Sequence, residues 1–146
     1  MNEFRDIQAS LLRCAADFAS DMNTLGYALT AINLDDYASP KEWPEGDFVG
    51  VAEFRFDVNH PFVLASVAFV ISTRDDTNLM RMGDLINELL NRLLPTKVIV
   101  IYDAKTGGAR GKLNVLNGTR VETVVSTESQ PARPIMVSMR SDQTIR

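Results

Sequence analysis

The chain has 146 residues, a formal net charge of -4, and 45% hydrophobic and 23% charged residues. That length fits one domain, and that balance of apolar and charged residues excludes a largely disordered chain. Acidic and basic residues are mixed throughout, which argues against a general affinity for nucleic acid, and no apolar run approaches the ~20 residues that span a bilayer.

Cys14 is the only cysteine and cannot form an intrachain disulfide, so nothing points to an oxidising compartment. The start Met1-Asn2-Glu3-Phe4-Arg5-Asp6 lacks the basic opening and apolar block of a signal peptide. These features fit a protein made and kept in a cytoplasm, with no membrane partner.

A helix is predicted over residues 3–22. Phe4, Ile7, Leu11, Cys14, Phe18 and Met22 recur every three or four residues, with Leu12 and Ala15 beside them, while Glu3, Asp6, Arg13, Asp17 and Asp21 fall away from that stripe. Asn2 suits the cap, and Gly26 or the earlier Asn23 suits the stop. The stripe covers less than three heptads, so it describes a helix packed on a sheet rather than a coiled coil. Residues 27–34 read as a short strand. Residues 35–47 form a loop with Pro40 and Pro44, where Trp43 and Tyr37 either meet a partner or fold back over the end of the sheet.

Residues 48–58 alternate. Phe48, Ala52, Phe54, Phe56 and Val58 are placed on one face with Gly50 among them, and Glu53, Arg55 and Asp57 on a wet face. Asn59-His60-Pro61 is a tight connection, so this strand and residues 62–73 should pair as an antiparallel hairpin. The run 62–73 is apolar on both faces and needs cover on each. Asp76 or Thr77 then supplies a helix start. The helix that follows carries Leu79, Met82, Ile86, Leu89 and Leu93, widened by Leu85 and Leu90, opposite Arg81, Asp84, Glu88, Asn91 and Arg92. Pro95 stops it.

Residues 97–102 read as a second strand apolar on both faces. A glycine-rich basic excursion (103–112) leads to a short strand (112–116). Asn117-Gly118 is the strongest hairpin signal in the chain, with a returning strand at 119–127. A loop (128–134) and a last strand (135–140) follow. Together the elements predict an α+β fold: a largely antiparallel mixed sheet with two main amphipathic helices packed on it, in a single domain over residues 1–146 with a short polar tail from about residue 141.

Catalytic chemistry has little to stand on. His60 is the only histidine and has no second histidine with which to build a metal site or a triad. Cys14 lies on an apolar stripe and reads as a small hydrophobe. The segment Thr106-Gly107-Gly108-Ala109-Arg110-Gly111-Lys112 fails as a phosphate loop: Thr106 stands where the first glycine belongs, Leu113 where the hydroxyl belongs, and a strand follows instead of a helix. Asp75-Asp76 is explained as a helix start. Asp35-Asp36 has no companions at calcium-loop spacing, and no Gly-x-Ser-x-Gly turn is present.

The opening helix (3–22), the strand-to-helix unit 63–94 ending in Leu93-Leu94-Pro95, and the final strand (135–140) carry a resemblance. In this order they resemble the tail-terminator, or tail-completion, proteins of long-tailed bacteriophages. The resemblance covers most of the chain as an order of elements and rests on no short motif; the 35–47 loop and the 103–112 excursion depart from it. It implies a structural virion protein, not an enzyme, with no cofactor and no metal. Such proteins form a homo-oligomeric ring, usually a hexamer, that ends the tail tube and joins it to the head connector. The implied partners are further copies of the chain, the tail tube protein and a head-connector or neck protein. DNA can pass through the ring without specific nucleic-acid binding, and the location is the virion tail or neck, assembled in the host cytoplasm.

A ring needs heterologous contacts. Glu53, Arg55 and Asp57 are candidates for charge-matched register between subunits. Tyr37 and Trp43 in one loop, and Lys105, Arg110 and Lys112 in the other, are candidates for contacts along the tail axis. Two other readings of the residues stay open. One is a small cytoplasmic protein-binding or regulatory domain using the Trp43 loop or a strand edge. The other is an enzyme with a cleft lined by Asp35, Asp36 or Arg74.

Overall fold

A computed structural model describes residues 3–59, 62–126 and 130–142. Helix α1 (Glu3–Thr24) opens the chain, and strands β1 (Thr30–Asn33), β2 (Phe48–Asn59) and β3 (Phe62–Ser72) follow. Helix α2 (Met80–Leu93) leads to β4 (Val98–Tyr102), β5 (Ala109–Val115), β6 (Arg120–Val121), β7 (Val125–Ser126) and β8 (Pro131–Ser141). The fold is α+β, one mixed sheet with two helices, in the order β1-β2-β3-β8-β5-β4, with β6 and β7 also paired to β8. Among the described residues β1 and β2 alone run parallel; the other pairings are antiparallel. The expected connection at His60-Pro61, part of the 128–134 loop and the tail from 143 lie outside the described residues.

The apolar stripes place both helices on one face. Ile7, Leu11, Phe18 and Met22 of α1 and Met82, Leu85, Leu89 and Leu93 of α2 are buried in one core with Val67, Phe69 and Ile71 of β3. Burial of each such side chain contributes about 1.5–3 kcal/mol. Helix α1 also lies along strands from both ends of the order. Its Ser10 hydroxyl accepts from the Tyr102 N–H at 2.8 Å and its Asp6 carboxylate from the Ala104 N–H at 3.0 Å, beside β4. On its other side the Phe4 ring stacks 4.9 Å from Phe56 of β2, and Asn23 bonds both backbone groups of Leu29, next to β1. The sheet therefore wraps around α1, which packs against β4, β1 and β2.

Four expectations need correction. The alternation of β2 does not hold through its length. Glu53 has a positive φ of 57°, and the register with β3 shifts between Ala52 and Arg55. This bulge puts one extra residue into β2 and reverses the phase of the side chains. Val49, Val51, Phe54 and Phe56 join the helix-covered core, whereas Phe48 and Ala52 pack on the opposite face. Asp35 Oδ1 accepts from the Glu53 N–H at 3.2 Å and holds the bulge.

Asn117-Gly118 does not make a hairpin. Gly118 takes a positive φ of 101°, but β5 and β6 do not pair with each other; both pair with β8. The turn kinks one interrupted strand that follows the eleven-residue β8, and Leu116 and Glu122 donate to Ser138 and Pro134 of β8. Pairing β5 back on β6 would leave that edge of β8 with unpaired backbone groups.

The strand at 97–102 is not covered on both faces. It is the last strand of the sheet, so Ile99 and Ile101 are buried while Val98 and Val100 are 47% and 39% exposed. Finally, Glu3 and Asp6 do not lie on the wet side of α1: they are 6% and 1% exposed, packed under the start of β5.

Candidate functional site

The face of the sheet opposite the helices is divided. One half is covered by residues 34–47, where Leu34 and the half-buried Trp43 pack on Phe48, Ala68, Val70 and Ala132. The Trp43 and Phe48 rings meet edge to face with centroids 5.9 Å apart. Trp43 thus folds back over the sheet, and the half-buried Tyr37 closes the preceding 3-10 turn with its N–H on the Leu34 carbonyl. Gly50 permits this cover: a Cβ there would stand 2.5 Å from Leu34 Cγ and Cδ1.

The other half is open. Glu53, Arg55 and Asp57 line a trough of about 440 Å³ with Ser66, Arg120 and Ser138. The two serine hydroxyls lie 3.4 Å apart across β3 and β8. Among the described residues Glu53, Arg55 and Asp57 form no ion pair, whereas Arg120 is paired with Glu122. The wet strand face read from the sequence is therefore a real surface. Its charges alternate in sign along β2: Glu53, Arg55, Asp57.

The basic excursion separates into unlike parts. The Asp103 carboxylate accepts from the Lys105 and Thr106 N–H groups at 2.8 and 3.1 Å and closes a tight loop. Those two bonds hold its carboxyl below the usual range. Lys105 and Lys112 are exposed. Arg110 is not available as a loop cation: its guanidinium lies 3.1 Å from Glu3 and 3.4 Å from Asp6. The buried carboxylates at the start of α1 recruit it, since buried charges persist only when paired.

The polar residues around the start of α2 are also structural. Asp76 accepts from the backbone N–H groups of Arg81 and Met82 at 2.9 and 2.8 Å and from the Thr73 hydroxyl at 2.9 Å. Burial opposes its charge, but these bonds and the nearby Arg81 outweigh it and hold the carboxyl below its ordinary value. Arg81 pairs with Asp47, and that bond pushes the guanidinium up. Arg74 pairs with the exposed Glu45, and Asp35 holds the β2 bulge. Among the described residues no group of three His, Cys, Asp or Glu side chains is placed to hold a metal ion, and no helix is long and apolar enough to cross a membrane.

A second surface was not visible in the sequence. Between α1, the end of α2 and the outer edge of β4 runs a groove of about 360 Å³, lined by Arg13, Cys14, Asp17, Arg92, Lys97 and Val98 among others. The Arg13 guanidinium sits 3.7 Å over the Tyr102 ring. Burial pushes the Cys14 thiol up to about 11 despite the nearby Arg92, with Asp17 adding to the rise, so it stays protonated at neutral pH. Only knowledge of which strand ends the sheet could have marked this groove. No protein-family model matches the chain, and no curated protein does.

Proposed function

We propose that this chain is a structural protein of a phage neck or tail, of the tail-terminator kind. In this reading it forms a ring that ends the tail tube and meets the head connector, it carries no catalytic step, and its place is the virion. The observation that supports the reading is the order of elements. An opening helix, a short strand, a hairpin whose second strand leads through a 3-10 turn into a second helix, and closing antiparallel strands are folded here as one sheet with both helices on one face. The surfaces suit such a role. The chain presents unlike faces, a trough of alternating charge on one side and a groove beside β4 on another, and a ring is built by joining one face of a subunit to a different face of the next.

The test is electron microscopy of the purified protein at high concentration, with its mass by light scattering, alone and with tail tube protein. Closed rings of one size are expected, and charge reversal at Arg55 should disrupt them. A stable monomer or dimer, with no ring even on the tube protein, would sink the reading.

The open edge of β4 favours a second reading, a small protein-binding or regulatory domain that takes a partner's strand and forms no ring.

A further inference from the structure

We propose that the outer edge of β4 is a docking site for an extended strand of a partner protein, a strand that carries a carboxylate near each end. Among the described residues β4 pairs with β5 alone. The Lys97 carbonyl accepts from the Val115 N–H at 2.9 Å, which fixes the phase of this antiparallel ladder. Ile99 and Ile101 bond inward to β5, and Val98 and Val100 turn their N–H and C=O groups outward. An edge of this kind is normally blunted by proline, by charge or by a covering element. Here α1 takes the far end, where Ser10 accepts from the Tyr102 N–H, and its Arg13, Cys14 and Asp17 form the opposite wall of the groove along the rest. From Lys97 to Val100 the edge opens into the groove, and the Val98 and Val100 side chains stand exposed along it. An added strand would gain main-chain bonds from this edge and apolar contact from the valines.

Charge selects the occupant. At one end Lys97 has no ion pair among the described residues. At the other, Arg13 has only a 4.0 Å approach to the exposed Asp17. Arg92, between α1 and α2, is already matched by Asp21. Both ends of the edge are thus cationic on a chain whose net charge is -4. The distance from Lys97 to Tyr102 is about 16 Å at about 3.3 Å per strand residue, so a strand of about six residues spans it, with acids at its two ends and β-branched residues between. A second copy of the chain fits less well. Its own end strand β1 is followed by Asp35 and Asp36 at one end only. The site does not depend on ring formation.

The test is a titration of the isotopically labelled full chain, followed by NMR, with the peptide acetyl-Glu-Val-Thr-Val-Thr-Glu-amide. Saturable shifts are expected at the Val98 and Val100 amides, with slowed hydrogen exchange there. A lysine-ended peptide should bind at least tenfold more weakly, and one N-methylated on alternate amides should not bind. Lys97→Glu should weaken binding about tenfold. Val98→Pro should abolish it while the remaining amide spectrum stays native, since an outward-facing edge position tolerates proline. The proposal fails if there is no saturable shift at Val98 and Val100, or if the lysine-ended or N-methylated peptide binds equally well. Concentration-dependent shifts at these amides without peptide would assign the edge to a second copy and overturn the acidic partner. A protein that forms no ring yet binds the peptide would keep this site and lose the tail-terminator reading.

Discussion

Glycine is required at position 50 because Leu34 occupies the space where a side chain would begin. The strand passes under the 34–47 segment, and the built Cβ position lies 2.5 Å from two Leu34 carbons. Gly50→Ala should therefore cost about 1–3 kcal/mol, the usual penalty for overpacking a filled site, read as a lowered midpoint in urea with an unchanged slope. Leu34 is 4% exposed, so Leu34→Ala alone should also destabilise, by about 2–5 kcal/mol. The double variant is the informative one. With Leu34 shortened, the alanine at 50 has room, and its added cost should vanish; a full additive loss would show that Leu34 is not the obstacle. Trp43 packs on the same cluster as Leu34 and Phe48, so tryptophan fluorescence follows the transition.

Helix α2 begins with an irregular step. Asn78 and Leu79 both take positive φ, near 57° and 55°, ahead of the first regular turn at Met80. Such a start leaves backbone N–H groups without helical partners, and Asp76 reaches past the irregularity to bond two of them, on Arg81 and Met82. Its folded-state carboxyl titrates below the ordinary value. A depressed carboxylate stabilises the fold fully above its unfolded-state pKa of about 3.9, and the contribution is lost as pH falls through the lower folded value. Asp76 uses both carboxylate oxygens as acceptors, one for Arg81 and the other for Met82 and Thr73. An asparagine keeps only one of them, so Asp76→Asn should reduce stability at pH 7 by about 1 kcal/mol and flatten the loss of stability below about pH 4. Denaturant midpoints from pH 7 down to pH 3 check this; parallel pH curves for the variant and the parent would rule out the assignment.

Across the whole molecule, Arg110 joins the first turn of the chain to the sheet. Glu3 and Asp6 on α1 meet it from one side, and the Ser141 hydroxyl at the end of β8 lies 3.3 Å from Glu3. Removing one member of a buried charged group leaves the others uncompensated, so Arg110→Ala should cost about 3–5 kcal/mol. Lys105→Ala and Lys112→Ala, on exposed side chains nearby, should stay within about 0.5 kcal/mol of the parent. Thermal melts of the three variants separate a structural arginine from the two surface lysines. Equal, small effects would return Arg110 to the surface role that its place in a basic loop suggests.

Local pattern determined the helices, most of the strands, the hairpin of β2 with β3 and the α+β class, because periodicity and helix-start chemistry act over a few residues. It also determined that Glu53, Arg55 and Asp57 are exposed. Four things were decided only by contacts between distant residues. The β2 bulge depends on Asp35 bonding Glu53, eighteen positions away, and it moves Phe54 and Phe56 to the helix side. The Asn117-Gly118 turn became a kink because β8 offered a longer partner than β6 could. Arg110 was taken out of the basic loop by carboxylates more than a hundred residues earlier. The open edge of β4 exists because strand order, which no local pattern encodes, put that strand last in the sheet.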